Sequence, residues 1–355
     1  MTDITHRDAA QPANRRAVTM WLFIVAGLVF LMVVVGGITR LTESGLSMVE
    51  WHPVTGWLPP LSDQAWQAEF QKYQNFPEYQ KVNRGMSLDD FKMIFAWEYG
   101  HRLLGRIIGV VFFVPFVFFL VTGRIRRSEM PWFLFLFVAG GAQGALGWFM
   151  VQSGLVDRPD VSQYRLAAHL TLAVLIYGLL VWTAWYVREQ GRRMAGLADG
   201  RRANRTMGVP AKIIAAMVLL QIVLGALVAG INAGHIYNTW PLIDGALVPE
   251  HLFDMEPAWL ALFEDHLTVQ FVHRLQAYLL IALAVWGVVR ARRAEAGAAR
   301  PARAVLHAML LQAVLGIATL LMVVPVWLGA LHQATAIVVW TMALWQLRLA
   351  TTDNA

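Results

Sequence analysis

Ten histidines are present in this 355-residue chain, and four of them, His101, His169, His273 and His332, fall on long apolar segments. The others lie elsewhere: His6 in the amino-terminal tail, His52, His235, His251 and His266 in connecting loops, and His307 near the end of an apolar segment. Those six are expected to be solvated, or bonded to a headgroup or a neighbouring loop. An ionisable side chain inside hydrocarbon is costly and by default functional. A lone histidine of that kind could serve an interhelical hydrogen bond, but four in matching positions ask for a ligand. Neutral imidazole binds iron and copper. Two imidazoles on facing helices can hold a haem edge-on inside a helix bundle. Three residues before His101 stands Glu98, and three before His273 stands Gln270. Residues at i and i−3 share a helical face, so Glu98 projects near the edge of one haem. Gln270 matches its size and polarity but cannot exchange a proton. A chain that only relayed electrons has little use for that carboxylate. One half therefore reads as chemical, the other as an electron relay or structural copy. Glu98 could instead form an ion pair with Arg102 at i+4. Arg102 and Arg274 directly follow two of the histidines, where haem propionates would emerge, and guanidinium suits such carboxylates. Lipid phosphate is the competing partner.

Elements of membrane length must position these groups. Hydrophobic residues make up 57% of the chain and charged ones 15%, against about 25% charged in soluble domains. The mean hydropathy is +0.51. Charge-free stretches cover 17–39, 107–123, 130–156, 166–187, 213–243, 275–289 and 304–347. A helix crosses the ~30 Å hydrocarbon core with about 20 apolar residues, so the last stretch is long enough for two, and Pro325 near its middle marks a hairpin. The chain reads as an all-α polytopic membrane protein with eight transmembrane helices, near 17–39, 97–121, 130–152, 165–187, 210–231, 267–289, 303–324 and 327–348. The mixed-charge stretch from Lys81 to Lys92 could form a further helix on the membrane surface.

The net charge is +6, but its distribution argues against nucleic acid as a partner. Arginines gather at Arg15 and Arg16, at Arg124, Arg126 and Arg127, along 188–212, and from Arg290 to Arg303, whereas the 41–96 and 231–267 loops carry most of the acids. That alternation follows the positive-inside rule and puts both termini in the cytoplasm. Every even-numbered helix then runs from outside to inside, which brings the four imidazoles to one depth. The absence of cysteine excludes disulfides, thiolate metal sites, iron–sulfur clusters and covalent c-type haem. The first apolar block is too long for a signal peptide and lacks a small-residue cleavage site, so it is expected to stay in the mature protein.

The two halves resemble one another. Trp97-Glu-Tyr-Gly-His-Arg102 aligns with Val269-Gln-Phe-Val-His-Arg274, Gln143-x3-Gly147 with Gln312-x3-Gly316, His169 with His332, and Trp51-His-Pro-Val-Thr-Gly56 weakly with Trp240-Pro-Leu-Ile-Asp-Gly245. Two pseudo-repeated four-helix bundles in the same orientation follow. The expected layout is a tail at 1–16, an amino-terminal half at 17–189, an Arg/Ala/Gly-rich linker at 190–209, a carboxy-terminal half at 210–348 and a tail at 349–355. The repeat pairs His101 with His169 and His273 with His332. Ala139, Gly140, Gly141, Gly144 and Gly147, with Gly225, Ala229, Gly230 and Gly316 in the second half, leave room for a planar guest or for close helix packing.

At these residues the sequence resembles the haem A synthase family. The resemblance rests on Gly36-Gly-Ile-Thr-Arg-Leu-Thr-Glu-Ser-Gly-Leu-Ser47, Trp51-His-Pro-Val-Thr-Gly56, Glu98-Tyr-Gly-His-Arg-Leu-Leu-Gly-Arg106, Ala168-His169, Val272-His-Arg274 and Leu331-His-Gln333, and covers nearly the whole chain. It implies an eight-helix enzyme of the bacterial inner membrane, or of the mitochondrial one in a eukaryote. Such an enzyme oxidises the C8 methyl of haem O to the formyl group of haem A, through hydroxylated intermediates, for cytochrome oxidase assembly. It further implies that His101 and His169 hold the substrate haem with Glu98 as catalytic carboxylate, and that His273 and His332 hold a resident haem b. Lacking the outer-loop cysteine pair of some bacterial members, the chain is similar to the cysteine-free branch of alphaproteobacterial and mitochondrial type. In this reading Glu98 accepts a proton or stabilises positive charge developing at the oxidised carbon. The expected partners are haem O and the haem O synthase that delivers it, an electron acceptor of unidentified kind, membrane lipid and a possible second copy of the chain. The rival reading is a non-catalytic di-haem b-type cytochrome in quinol-linked electron transfer, which leaves the Glu98/Gln270 asymmetry without a purpose.

Overall fold

Long apolar helices dominate because, without water, a backbone can satisfy its own hydrogen bonds only within a helix or a closed barrel. The computed structural model describes residues 2–52, 55–156, 159–197, 203–294 and 297–352, with the side chains of 2–11 and 205 outside that description. His6, Pro53, Val54, Arg201 and Arg202 therefore lie outside the described groups, and so does the side chain of Arg205. Twelve α-helices are present among the described residues: α1 Thr2–Leu41, α2 Asp63–Gln74, α3 Pro77–Lys81, α4 Leu88–Val121, α5 Met130–Gln152, α6 Gln163–Met194, α7 Gly208–Gly230, α8 Ala233–Ile236, α9 Ala261–Glu264, α10 His266–Arg292, α11 Ala299–Leu321 and α12 Val326–Thr351. Eight of them, α1, α4, α5, α6, α7, α10, α11 and α12, are long and apolar enough to cross a membrane. The only β pairing among the described residues is an isolated bridge between Ile243 and Ala246.

The spans pack in two rings. In the first, α1 meets α4, α4 meets α5, α5 meets α6, and α6 returns to α1. In the second, α7 meets α10, α10 meets α11, α11 meets α12, and α12 returns to α7. The rings join where α6 packs on α7 and α12, and where α1 packs on α12. At this seam Gly178 admits Trp340, whose indole N–H donates to the Val174 carbonyl at 3.2 Å, and Tyr177 pairs with Thr341 at 2.9 Å. Small residues here let helices approach closely, which substitutes for a hydrophobic force that lipid cannot supply. By contrast α5 and α11 turn Leu134, Phe135, Val138, Leu310, Leu311 and Val314 outward. That is the pattern of a lipid-facing surface.

The two ends are held differently. At one end Arg15 grips Glu129 through two hydrogen bonds of 2.9 and 2.8 Å, and Arg348 donates to Glu189 at 2.7 Å. At the other end the long first loop folds into a cap, in which Tyr73 of α2 packs with Phe91 and Phe95 of α4.

The cap departs from expectation. The second span begins at Leu88, nine residues before the predicted start at 97, because Ser87 caps it by accepting from the Asp90 N–H. Phe91 and Phe95 are buried against the cap and not in lipid, so their segment could carry polar residues and escaped a search for apolar runs. The expected surface helix between Lys81 and Lys92 is also displaced. The cap helices are α2 and α3, and a non-helical stretch separates α3 from α4. The hairpin at Pro325 forms as expected, with Val323 and Val324 both at positive φ, 59° and 54°. Helix α6 continues to Met194, five residues into the stretch expected as a linker.

Candidate functional site

Each of the four histidines sits on the second member of a helix pair, against a glycine of the first. A Cβ placed on Gly147 of α5 would lie 2.9 Å from Cε1 of His169 on α6, and one on Gly316 of α11 would lie 2.8 Å from Cε1 of His332 on α12. For Gly225 of α7 and His273 on α10 the distance is 3.2 Å, and for Gly36 of α1 and His101 on α4 it is 3.0 Å, to Nε2. A side chain at Gly147 or Gly316 would force the ring or the helix to shift, and at Gly36 or Gly225 the ring would have to give by a few tenths of an ångström, so the glycines cradle the rings. The remaining small residues divide. Gly230 packs on Gln163 of α6, as ordinary helix packing requires, while Gly140, Gly141 and Gly144 meet nothing within 4 Å.

One turn before three of the cradle glycines stands a glutamine. Nε2 of Gln143 donates to the His169 carbonyl at 3.0 Å and lies 3.1 Å from the ring Nδ1. Gln221 does the same for His273, at 3.1 and 3.0 Å. Gln312 donates to the His332 carbonyl at 3.0 Å and lies 3.4 Å from its Nε2. The Gln143 and Gln312 positions were visible as a sequence repeat. Gln221 belongs to the same pattern, Gln-x3-Gly, and the spacing alone could have found it. At the fourth site this position is Met32.

The rings come in twos. His101 lies within electrostatic reach of His169, and His273 of His332. All four are half-buried. Among the described residues no three His, Asp or Glu side chains cluster in the way a bare metal ion would need. Paired imidazoles instead suit a group that brings its own equatorial ligands and asks for two axial ones. The amide oxygens of Gln143, Gln221 and Gln312, together with Nδ1 of His332, are buried and unpartnered among the described residues. Buried polar atoms without partners are uncommon, and these four lie at the cradled rings. The cradles, the paired donors and the orphaned atoms all fit a haem between each pair.

Glu98 and Gln270 occupy matching frames. Glu98 is buried; its Oε2 accepts from the Ser47 hydroxyl and the Met48 N–H, both at 2.7 Å, and its Oε1 accepts from Arg102. Arg102 further donates to the Glu50 and Met48 carbonyls at 2.7 and 2.8 Å and lies over the Trp51 ring. In the other half Gln270 is equally buried, donates to the Ala233 carbonyl at 2.9 Å, and accepts from Arg274, which also reaches the Tyr237 and Leu242 carbonyls. The ion pair weighed for Glu98 is therefore present, and a neutral glutamine reproduces its contact with arginine. Charge is what separates the two frames. The terminal nitrogens of both arginines are engaged by protein acceptors, while Nε of Arg274 is buried without a partner among the described residues. Sequence reasoning missed Ser47 and Met48 as the groups that hold Glu98, although Ser47 closes the first motif that drew attention.

The other described histidines stay peripheral. His52 pairs with Glu50 at 3.1 Å and His251 with Asp254 at 2.9 Å, both on the surface. His235 and His307 are exposed, and His266 is half-buried at the start of α10.

Residues 19–344 match the family described as cytochrome oxidase assembly protein, COX15-CtaA. The chain is 55% identical over 341 residues to a heme A synthase of Parvibaculum lavamentivorans, covering 95% of this chain and 96% of that protein. It is 52% identical to a heme A synthase of a Bradyrhizobium species, over 93% and 90% of the two chains. A third, from Rhodopseudomonas palustris, is 50% identical over 99% and 95%.

Proposed function

The chain belongs to the haem A synthase family of cytochrome oxidase assembly proteins, and on that premise we propose which of its residues perform the conversion of haem O to haem A. His101 and His169 hold the substrate haem, and His273 and His332 hold a resident haem b. Glu98 is the catalytic carboxylate. The observation that carries this reading is the pair of matching frames, in which Glu98 and Gln270 meet the same arginine contact and differ in charge. If the frame served packing alone, glutamine would serve in both halves. The names of the relatives favour an enzyme over the rival electron-transfer cytochrome.

Bound haem supplies the redox chemistry. This chain supplies position and a proton acceptor. Each round of methyl oxidation releases a proton in a region of low dielectric, where one placed carboxylate counts for far more than in water. The hydrogen bonds from Ser47, Met48 and Arg102 fix the carboxylate in one orientation, so none of the barrier goes to orienting it. Arg274, with its free Nε, is suited to a haem propionate in the second half. Arg102 makes the matching three contacts, and one of them holds Glu98.

The repeat of cradle, histidine and arginine frame supports an internal duplication, with halves near 17–189 and 210–348 joined through 190–209. The positive-inside pattern supports cytoplasmic termini in a bacterial inner membrane and places the catalytic frame on the outer side. Haem O synthase, an electron acceptor and a second copy of the chain are the partners this role calls for.

A Glu98→Gln variant should retain its haems yet accumulate haem O or a hydroxylated intermediate, with haem A formation down by about a hundredfold or more, as loss of a general base implies. Haem extraction and mass analysis read the outcome. Normal haem A yield would sink the role of Glu98. Loss of His273 or His332 should strip haem b from the purified protein.

A further inference from the structure

Three of the four candidate ligands are held and one is not. Gln143, Gln221 and Gln312 each place an amide on the backbone and ring of the histidine they face. At the matching position, four residues before Gly36, stands Met32, a thioether in place of an amide, and no hydrogen bond to the His101 ring is present among the described residues. Met32 instead packs toward α4 below the ring, its Cε lying 3.5 Å from a Cβ built on Gly105.

We propose that His101 is the labile ligand of the substrate site, and that Gln143, Gln221 and Gln312 are positioning residues that make the other three ligands permanent. The inference rests on the assignment of His101 and His169 to one haem. A neighbour that fixes the orientation of a ligating histidine is typically worth 10–100-fold in metal affinity, and each glutamine anchors its histidine by donating to the backbone carbonyl. A resident haem needs both axial ligands fast, and the second half has a glutamine at each. A substrate haem must arrive and depart, and the first half has one held ligand, His169, and one that can swing aside. A small molecule would then approach a bound haem from the α1/α4 side, where Glu98 stands on the same helix three residues before the histidine that moves.

Carbon monoxide tests this on the purified, haem-loaded, dithionite-reduced protein, because it binds only where an axial ligand yields. The wild-type protein should bind it at one of its two haems. Met32→Gln, which supplies the missing amide, should slow that binding about tenfold or more and raise the low-spin fraction in the resting spectrum, whereas Met32→Leu should leave both as they were. Gln312→Met, which frees His332, should make the second haem reactive. These variants stand in different halves, so a folding failure in one leaves the other decisive. Carbon monoxide binding unchanged by both Met32→Gln and Gln312→Met would overturn the proposal. A separate arm guards the underlying assignment. If His101→Ala and His169→Ala leave the haem inventory and spectrum unaltered, the ligand pairing itself is wrong; if they change it while the glutamine series does nothing, only the inference about lability falls.

Discussion

Glu98 and Glu78 are two buried acids with opposite surroundings. Glu98 accepts three hydrogen bonds, one from a guanidinium, and was legible in the sequence because its counterpart is Gln270. Glu78 of α3 sits in the cap beneath Tyr73, and its Oε2 is buried without a partner among the described residues. Burial pushes its carboxyl up to about 8, with smaller upward contributions from the charges of Glu98 and Glu43 and a downward one from the Tyr73 hydroxyl. Nothing in the sequence marks it, since burial of a loop acid is a product of tertiary contact. A carboxyl that binds its proton more tightly folded than unfolded stabilises the fold fully below its unfolded value of 4.5, and that stabilisation is lost as pH rises through about 8. The cap should therefore loosen between pH 5 and 9, seen as faster amide exchange or proteolysis across α2 and α3. Glu78→Gln should flatten that dependence and protect the cap at the alkaline end. An unchanged pH slope in the variant would refute the assignment.

At the level of elements, the helix pairs do the positioning. A ring cradled on glycine leaves no slack, and the four cradles differ little in depth. Gly316→Ala would bring a methyl within 2.8 Å of Cε1 of His332, so the ring or the helix must shift. Overpacking of this kind costs about 1–3 kcal/mol. The expected result is a lowered thermal midpoint in detergent together with loss of haem b absorbance. Gly109→Ala on α4, with nothing within 4 Å, is the comparison: alanine there should be neutral or gain about 0.5–1 kcal/mol from helix propensity. Equal behaviour of the two variants would mean that the glycines are not cradles. The spans themselves were legible because apolar length is a local property. The start of α4 was not, because the cap shelters Phe91 and Phe95 and lets charged Asp89, Asp90 and Lys92 share their helix.

For the whole molecule, two four-helix rings meet along α1, α6, α7 and α12, with Gly178 against Trp340 and Gly37 against Gln333 at the seam. The absence of cysteine makes the orientation directly measurable. A single cysteine at Ser128, exposed between α4 and α5, should react with an impermeant maleimide only from the cytoplasmic side, and one at Gln64, exposed on α2, only from the opposite side. Reaction of both from the same side would contradict the span count, and reversed sidedness would overturn the charge-based topology. The linear chain determined the number of spans and the single charge that sets Glu98 apart from Gln270, and its internal repetition is what proposes the pairing of His101 with His169 and of His273 with His332. Those follow from residue identity, apolar length and internal repetition, which need no partner to be read. Only the tertiary structure decided that Ser47 and Met48 hold Glu98, that the three glutamine amides lie on the backbone carbonyls of their histidines, and that Glu78 lies buried in the cap. Each depends on how a helix is turned about its own axis. Successive residues point about 100° apart, so a face toward a neighbouring helix is set by packing across the bundle and not by the sequence of that helix alone.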